Sequence, residues 1–299
     1  MDWVNHPAYS KARDELVTRF KEKVYSFKHF PPFIFLCGGR DSECRQHVAR
    51  YLRQQSTQPF VFYAEDVWDQ VSDDPDLNAL QMEAQLAKLA DILIVIVESA
   101  GTIAELGAFA SHSELRSKML PIVNARYRDD QSFIDIGPLR WIGEDSKFAP
   151  PVYTDFAVIL QCMPEVDDRL SRIPMRGRLS LKHHELPGGD PKHLLLLLAD
   201  VVAVMGPTSA KQCSEFLLRL LGIQPRWSVA SLLGLASSLD LIQALEYQGT
   251  RHYYRRLEGG ELPSYQHRKK MLNIPQERAR FLGVLQTIPS ARSALSMAR

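Results

Sequence analysis

Residues 92–110 read ILIVIVESAGTIAELGAFA. The first six are all apolar, with neither the alternation of a half-exposed strand nor a helical period, which is the pattern of a strand buried on both faces of a sheet. The chain then turns near Gly101 and enters a helix-like run. Runs of the same strand-like kind lie at 33–37 (FIFLC), 60–64 (FVFYA) and 119–123 (MLPIV). Between them the spacing predicts helices over 43–54 and 77–90, where Leu77, Leu80, Ala84 and Ala87 share one face. Strands alternating with helices predict an α/β fold, a parallel sheet flanked by helices of the flavodoxin or Rossmann kind.

Ligands of such sheets bind beyond the carboxyl ends of the strands. Here those ends carry Gly38 and Gly39, then Glu65 and Asp66, then Glu98 and Ser99 with Thr102 and Glu105 behind them. Two readings of Glu105 are open. Thr102-Ile-Ala-Glu105 has the spacing of a capping box, in which each side chain satisfies a backbone amide at a helix start. Alternatively, three loops converge on a ligand and Glu105 is its carboxylate. The glycine pair lets backbone amides approach a sugar or phosphate, but neither the G-x-G-x-x-G nor the G-x-x-x-x-G-K-[ST] pattern is present, which argues against a Rossmann dehydrogenase and a P-loop nucleoside triphosphatase.

The composition, 45% hydrophobic and 24% charged, is that of a globular protein, and no apolar run approaches the length of a membrane span. The first residues are mixed and charged, so no signal peptide is expected and the cytoplasm is the default compartment. Cys37, Cys44, Cys162 and Cys213 form no C-x-x-C pair, so reduced thiols are expected, and His183 and His184 without acidic neighbours suggest no metal site. The net charge of +1 conceals an asymmetry: 17 basic against 22 acidic side chains in residues 1–149, and 19 against 13 in residues 150–299. Two domains with different tasks fit that division.

The expected boundaries are 1–150 for the sheet domain, 151–189 for a Pro-, Gly- and Arg-rich connector, and 190–299 for a mostly α domain. In the last, three apolar helices and a strand–glycine–strand hairpin follow in the order of a winged helix. Arg251, His252, Arg255 and Arg256, near the turn at Gly249, fit a nucleic-acid footprint, with Arg268, Lys269 and Lys270 following. The third helix, SVASLLGLASSL at 228–239, carries no charge, so contact with a nucleic-acid backbone fits it better than base reading. A basic edge on a dimerisation module is the other reading.

The series FLCGG (35–39), ED (65–66), ESAGTIAELGAF (98–109) and SFIDIGPLR (132–140) resembles that of the nucleoside 2-deoxyribosyltransferase-like effectors, or toxins, of bacterial retrons. The resemblance implies attack by Glu105 on the anomeric carbon of a ribosyl group, with cleavage of an N-glycosidic bond, and makes Gly38, Gly39, Asp66, Glu98, Ser99 and Thr102 the substrate-binding set. It implies no cofactor, with NAD or a related nucleotide as the substrate. It also implies restraint by a retron reverse transcriptase and its RNA–DNA hybrid, and a homo-oligomer in which SFIDIGPLR shapes the subunit contact. The chemistry is reasonable on its own terms, because an oxocarbenium-like transition state is stabilised or captured by a carboxylate. A phosphoribohydrolase, which shares G-T-x-x-E, has a glycine pair where this chain has Ser99 and Ala100. That makes it a poorer match; it stays an alternative beside a nucleoside or nucleotide deoxyribosyltransferase and a non-catalytic, nucleotide-sensing winged-helix regulator.

Overall fold

The computed structural model describes residues 3–22, 25–27, 31–71, 78–128, 130–173, 179–181, 191–255 and 273–298. Arg256, Arg268, Lys269, Lys270, His183 and His184 lie outside them. The chain divides into two units, one formed by Pro31–Met175 and the other by Met1–Phe30 with Arg176–Arg299. Its first elements, α1 (Pro7–Lys21) and β1 (Tyr25–Phe27), belong to the second of these.

The first unit follows in chain order: β2 (Phe33–Cys37), α2 (Glu43–Arg53), β3 (Phe60–Phe62), α3 (Ala64–Val71), α4 (Ala79–Leu89), β4 (Ile92–Val97), α5 (Ala100–Ala110), α6 (Ser113–Arg116), β5 (Met119–Asn124), α7 (Arg140–Asp145), β6 (Val152–Thr154) and α8 (Met163–Ser171). Five strands form one sheet in the order β3-β2-β4-β5-β6, every pair parallel. All six residues of β4 are buried, as an apolar run without alternation requires of a central strand. Ile34 registers with Ile92, and Val97 with Val123. The flanking helices bury stripes of their own: on α2 the stripe is Arg45, Val48, Ala49 and Leu52, and the last three join Ile34, Leu36, Ile94 and Ile122 in the core. Because β3 lies outside β2 and β4 inside it, the chain reverses its direction across the sheet between β2 and β4. That point leaves a crevice at the carboxyl ends of the two strands.

The second unit continues with β7 (Leu179–Leu181), α9 (Pro191–Met205), β8 (Thr208–Ser209), α10 (Ala210–Leu221), α11 (Val229–Ser238), β9 (Gln243–Tyr247), β10 (Thr250–Tyr254), α12 (Ile274–Thr287) and α13 (Pro289–Met297). β1 pairs with β7, and β8, β10 and β9 form a three-stranded antiparallel sheet. Helix, strand, helix, helix and hairpin is winged-helix order. The hairpin turns on Gln248 and Gly249, both at positive φ (52° and 70°), as a two-residue turn matched to strand twist demands. Every residue of α9 after Pro191 is buried. No helix among the described residues is long and apolar enough to cross a membrane.

The expected domain boundaries are corrected at both ends. Residues 1–30 leave the sheet unit because α1 buries Tyr9, Leu16 and Phe20, with Tyr9 edge-on to Phe281 at 5.5 Å and Phe20 edge-on to Phe216 at 5.4 Å. Residues 151–173, expected to be connector, instead supply the edge strand β6 and the buried Ile159, Cys162, Met163 and Val166. All four cysteines are free thiols.

Candidate active site

The start of α5 decides how its acids can be used. Ser99 is the N-cap: its Oγ accepts from the Thr102 amide at 3.3 Å, and Thr102 Oγ1 accepts from the Ser99 amide at 3.0 Å. Thr102 Oγ1 also accepts from the Glu98 amide at 3.1 Å. The capping box therefore runs from Ser99 to Thr102, three residues earlier than the spacing Thr102–Glu105 suggests. Glu105 lies in the second turn and takes no part in it. Thr102, expected at the substrate, is 2% exposed with its hydroxyl engaged in this cap.

Glu98 spans the crevice at the reversal point. Its Oε1 accepts from the Gly39 amide at 2.8 Å and its Oε2 from the Ser42 hydroxyl at 2.7 Å, while Ser42 caps α2 through the Arg45 amide at 3.2 Å. The carboxylate thus fixes the glycine loop after β2, and the Gly39 amide expected to face a ligand is held by Glu98. A side chain at Gly38 would approach Arg45 Cδ to 2.8 Å, so that position is reserved for glycine by the arginine beneath it.

Glu105 is half-buried beside Cys37, the last residue of β2. Its Oε2 is buried and has no hydrogen-bond partner among the described residues. Burial first, then the charges of Glu83 and Glu65, raise its carboxyl to about 7, while a hydrogen bond from the Cys37 thiol and the Arg45 guanidinium pull the other way. Cys37 itself is held well above its ordinary range by burial and by Glu105. Arg45 is 6% exposed; it pairs with Glu65, donates to the Arg40 carbonyl at 2.6 Å, and lies 4.5 Å from the Tyr63 ring centroid. Asp66 sits in the first turn of α3, half-buried, its carboxyl raised by burial and by Glu65.

The structure therefore gathers Cys37, Arg45, Glu65, Glu83 and Glu105 at the carboxyl edge of the sheet. Of these, Arg45 and Glu83 were not anticipated as site residues, and Cys37 was anticipated only as a reduced thiol. The signal for Arg45 was present, since it falls in phase with Val48, Ala49 and Leu52 in an otherwise apolar stripe. Glu83 likewise falls in phase with the buried Leu86 and Ala87 on α4.

A cavity of about 440 Å³ opens at the ends of β4 and β5, lined among others by Glu98, Ser99, Ile103, Asn124, Tyr127 and Asp135. Glu105 does not line it. Ile103 and Glu105, two residues apart, are about 200° apart around α5, so the helix presents one face to the cavity and the other to the acid cluster. The SFIDIGPLR stretch supplies Ser132, Ile134, Asp135 and Leu139 to the cavity wall and leaves Phe133 81% exposed beside it.

In the second unit, Arg251 bonds Glu246 through Nε at 3.0 Å, and Arg255 follows β10. His252 departs from the expectation of a surface contact: it is 6% exposed, its ring 5.1 Å from that of Trp3 and its Nδ1 2.9 Å from the Thr250 carbonyl. Side chains alternate across a strand, so the residue after Arg251 points inward.

A family model described as STM3845 retron effector protein matches residues 41–244, about two thirds of the chain and including both Glu98 and Glu105. The chain belongs to this family of retron effectors. Among curated relatives of the effector is the Escherichia coli "Retron Ec73 putative ribosyltransferase/DNA-binding protein", 27% identical over 263 residues that cover 78% of this chain and 82% of the relative. Another is the Escherichia coli "Retron Ec86 putative ribosyltransferase/DNA-binding protein", 35% identical over 124 residues, 40% of each chain.

Proposed function

We propose that this retron effector is an N-glycosidase toxin that cleaves the bond between ribose and base in NAD or a related nucleotide, with Glu105 as the catalytic carboxylate. The observation that carries the reading is the state of Glu105: a carboxylate at the carboxyl edge of a parallel sheet, with one buried oxygen that has no partner among the described residues. Buried polar atoms are ordinarily satisfied, and an orphan at such a place fits a group held for a substrate. The relatives' names, which specify ribosyl transfer and DNA binding, agree in reaction class.

In the proposed reaction the C1′–N bond breaks and its electron pair stays on the base nitrogen. For a pyridinium base this neutralises the leaving group, so no general acid is required. Glu105 stabilises or captures the C1′ cation, and water completes hydrolysis, giving its hydroxyl to C1′ and a proton to solvent. Only the ionised carboxylate can do this. With its pKa near 7 in the free protein, kcat/KM should rise with pH and level off above about 7. A cationic substrate approaching the acid cluster favours ionisation and assists its own turnover.

The test is release of free nicotinamide or other base by the purified protein, with the Glu105→Gln variant beside it. Loss of at least about a thousandfold in the variant, with folding retained, is expected for removal of a nucleophile. Full activity in Glu105→Gln sinks the assignment. We further propose that the effector works in the cytoplasm as a homo-oligomer and is silenced by its reverse transcriptase and the cognate RNA–DNA hybrid. Expressed alone it should arrest growth; expressed with both partners it should be tolerated. A folded protein that binds nucleotide, releases no base and is harmless alone would make it a sensor instead.

A further inference from the structure

In a winged helix the third helix ordinarily enters the major groove of DNA. Here that helix is α11, and none of its residues is fully exposed: Val229 and Ser231–Ala236 are buried and the rest are half-buried. It has no charge to offer and little surface to offer it from. Any nucleic acid that meets this unit must meet it elsewhere.

A groove of about 870 Å³ lies in the same unit, between the start of α10, the start of α1 and the β9–β10 hairpin. Four cations line it: Arg13, Lys211, Arg219 and Arg251. Among the lining residues Glu215 is the one acid, and Arg13 pairs with it at 3.7 Å. Lys211 and Arg219 are exposed. The α10 terminus opens on the groove with Ala210 and Lys211 in its first turn, where main-chain amides have no helical partner. A second sign of an acceptor-bearing ligand is Trp3 in the groove wall: it is 2% exposed and its Nε1, a donor only, has no partner among the described residues. The wall thus carries an excess of positive charge together with an unmet buried donor.

We propose that this groove, rather than α11, is where the effector holds the sugar-phosphate backbone of a nucleic acid, with Lys211 and Arg219 as the principal phosphate contacts. Arg219 also lies 3.7 Å from Asp14, but both partners are exposed, where an ion pair contributes little; the less exposed Arg13 and Arg251, each facing a carboxylate, shape the positive wall behind. The four cations are suited to phosphate rather than to base edges, so binding is largely independent of sequence and strongly dependent on salt. The inference rests on the reading that this unit meets nucleic acid, and its test separates the two.

The full chain is titrated, by fluorescence anisotropy across a salt series, with two 20-base-pair DNA duplexes of unrelated sequence. The Lys211→Ala/Arg219→Ala variant should bind both more weakly by a similar factor, at least about fivefold. Its slope of log affinity against log salt should shrink by up to about 1.8, roughly 0.9 for each lost contact. Arg226→Ala, in the exposed loop before α11, should bind as the wild type does. Wild-type binding that survives the double substitution overturns the groove alone, and so does a loss confined to one sequence. Wild type that binds neither duplex, but binds polyglutamate through Lys211 and Arg219, reassigns the groove to an acidic protein; wild type that binds none of these overturns the nucleic-acid reading as well.

Discussion

Each unit buries carboxylate oxygens of a glutamate, and the two are treated in opposite ways. Glu277, at the start of α12, is 4% exposed, and both its oxygens are met: Oε2 accepts from Arg19 Nε at 2.7 Å and Oε1 from Arg280 Nη1 at 2.8 Å. Glu105, on α5, has one orphan oxygen and two acids pressing on it. A buried charge with matched partners ties elements together, here α1 to α12, whereas a buried charge without them costs stability and persists only where it is used. The difference marks Glu277 as a structural acid and is the physical basis for the role proposed for Glu105.

The largest stability effect that follows is at Glu277. Replacing it with alanine leaves Arg19 and Arg280 facing an apolar gap, and Arg19 is mostly buried. A loss of about 3 kcal/mol is expected, at the lower end for a broken buried pair because Arg280 reaches solvent. Chemical denaturation measures it. A loss below about 1 kcal/mol would mean that the pair is surface-like and would erase the contrast with Glu105.

Glu105→Gln should act in the opposite direction, and only at one end of the pH range. The folded-state pKa of Glu105, about 7, lies above its ordinary 4.5, so the native state holds the proton more tightly than the unfolded chain. The group therefore weighs nothing against folding below pH 4.5. Its cost grows as pH rises and is complete above about 7. A shift of this size corresponds to about 3 kcal/mol, reduced to about 2 by partial solvent screening. Glutamine removes the charge and keeps the shape. The variant should be about 2 kcal/mol more stable than the wild type at pH 8 and equal to it at pH 4, read from paired melts. Equal stability at both values would show that Glu105 is not strained, and the proposed use of its orphan oxygen would lose its physical basis.

Much of this was legible in the sequence, and the failures have causes. The central strand and its neighbours were visible because burial on both faces leaves no choice but an unbroken apolar run, as in Ile92–Val97. The acids at the strand ends were visible because parallel sheets put ligands there. What could not be read was partnership. Glu98 and Glu105 are both acids near one helix start, yet one is bonded to Gly39 and Ser42 and the other is orphaned, and only three-dimensional proximity decides which. Residue types at the right spacing misled at Thr102, because Ser99 offers an equally good cap three residues earlier. The N-terminal helix was assigned to the wrong unit for a similar reason: its apolar face at Tyr9, Leu16 and Phe20 announces that it is buried but not against what. Edge strand β6, three residues long, is too short to carry a period.

The smallest effect tests the cap itself. If Ser99 and Thr102 hold the start of α5, then Ser99→Ala should cost about 1 kcal/mol, the ordinary value of an N-cap hydroxyl, because the Thr102 amide loses its acceptor. The rest of the helix should stay in place, since Leu106, Phe109 and Ala110 are buried independently of the cap. Glu105, a turn and a half beyond Ser99, should keep its position, so base release by this variant should fall less than tenfold while Glu105→Gln removes it. The two substitutions thus separate what α5 needs to form from what it is formed to carry. An inactive but fully stable Ser99→Ala protein would reverse the assignment and put the Ser99 hydroxyl at the substrate; one that is active but less stable by about 1 kcal/mol leaves chemistry to Glu105 and the cap to Ser99.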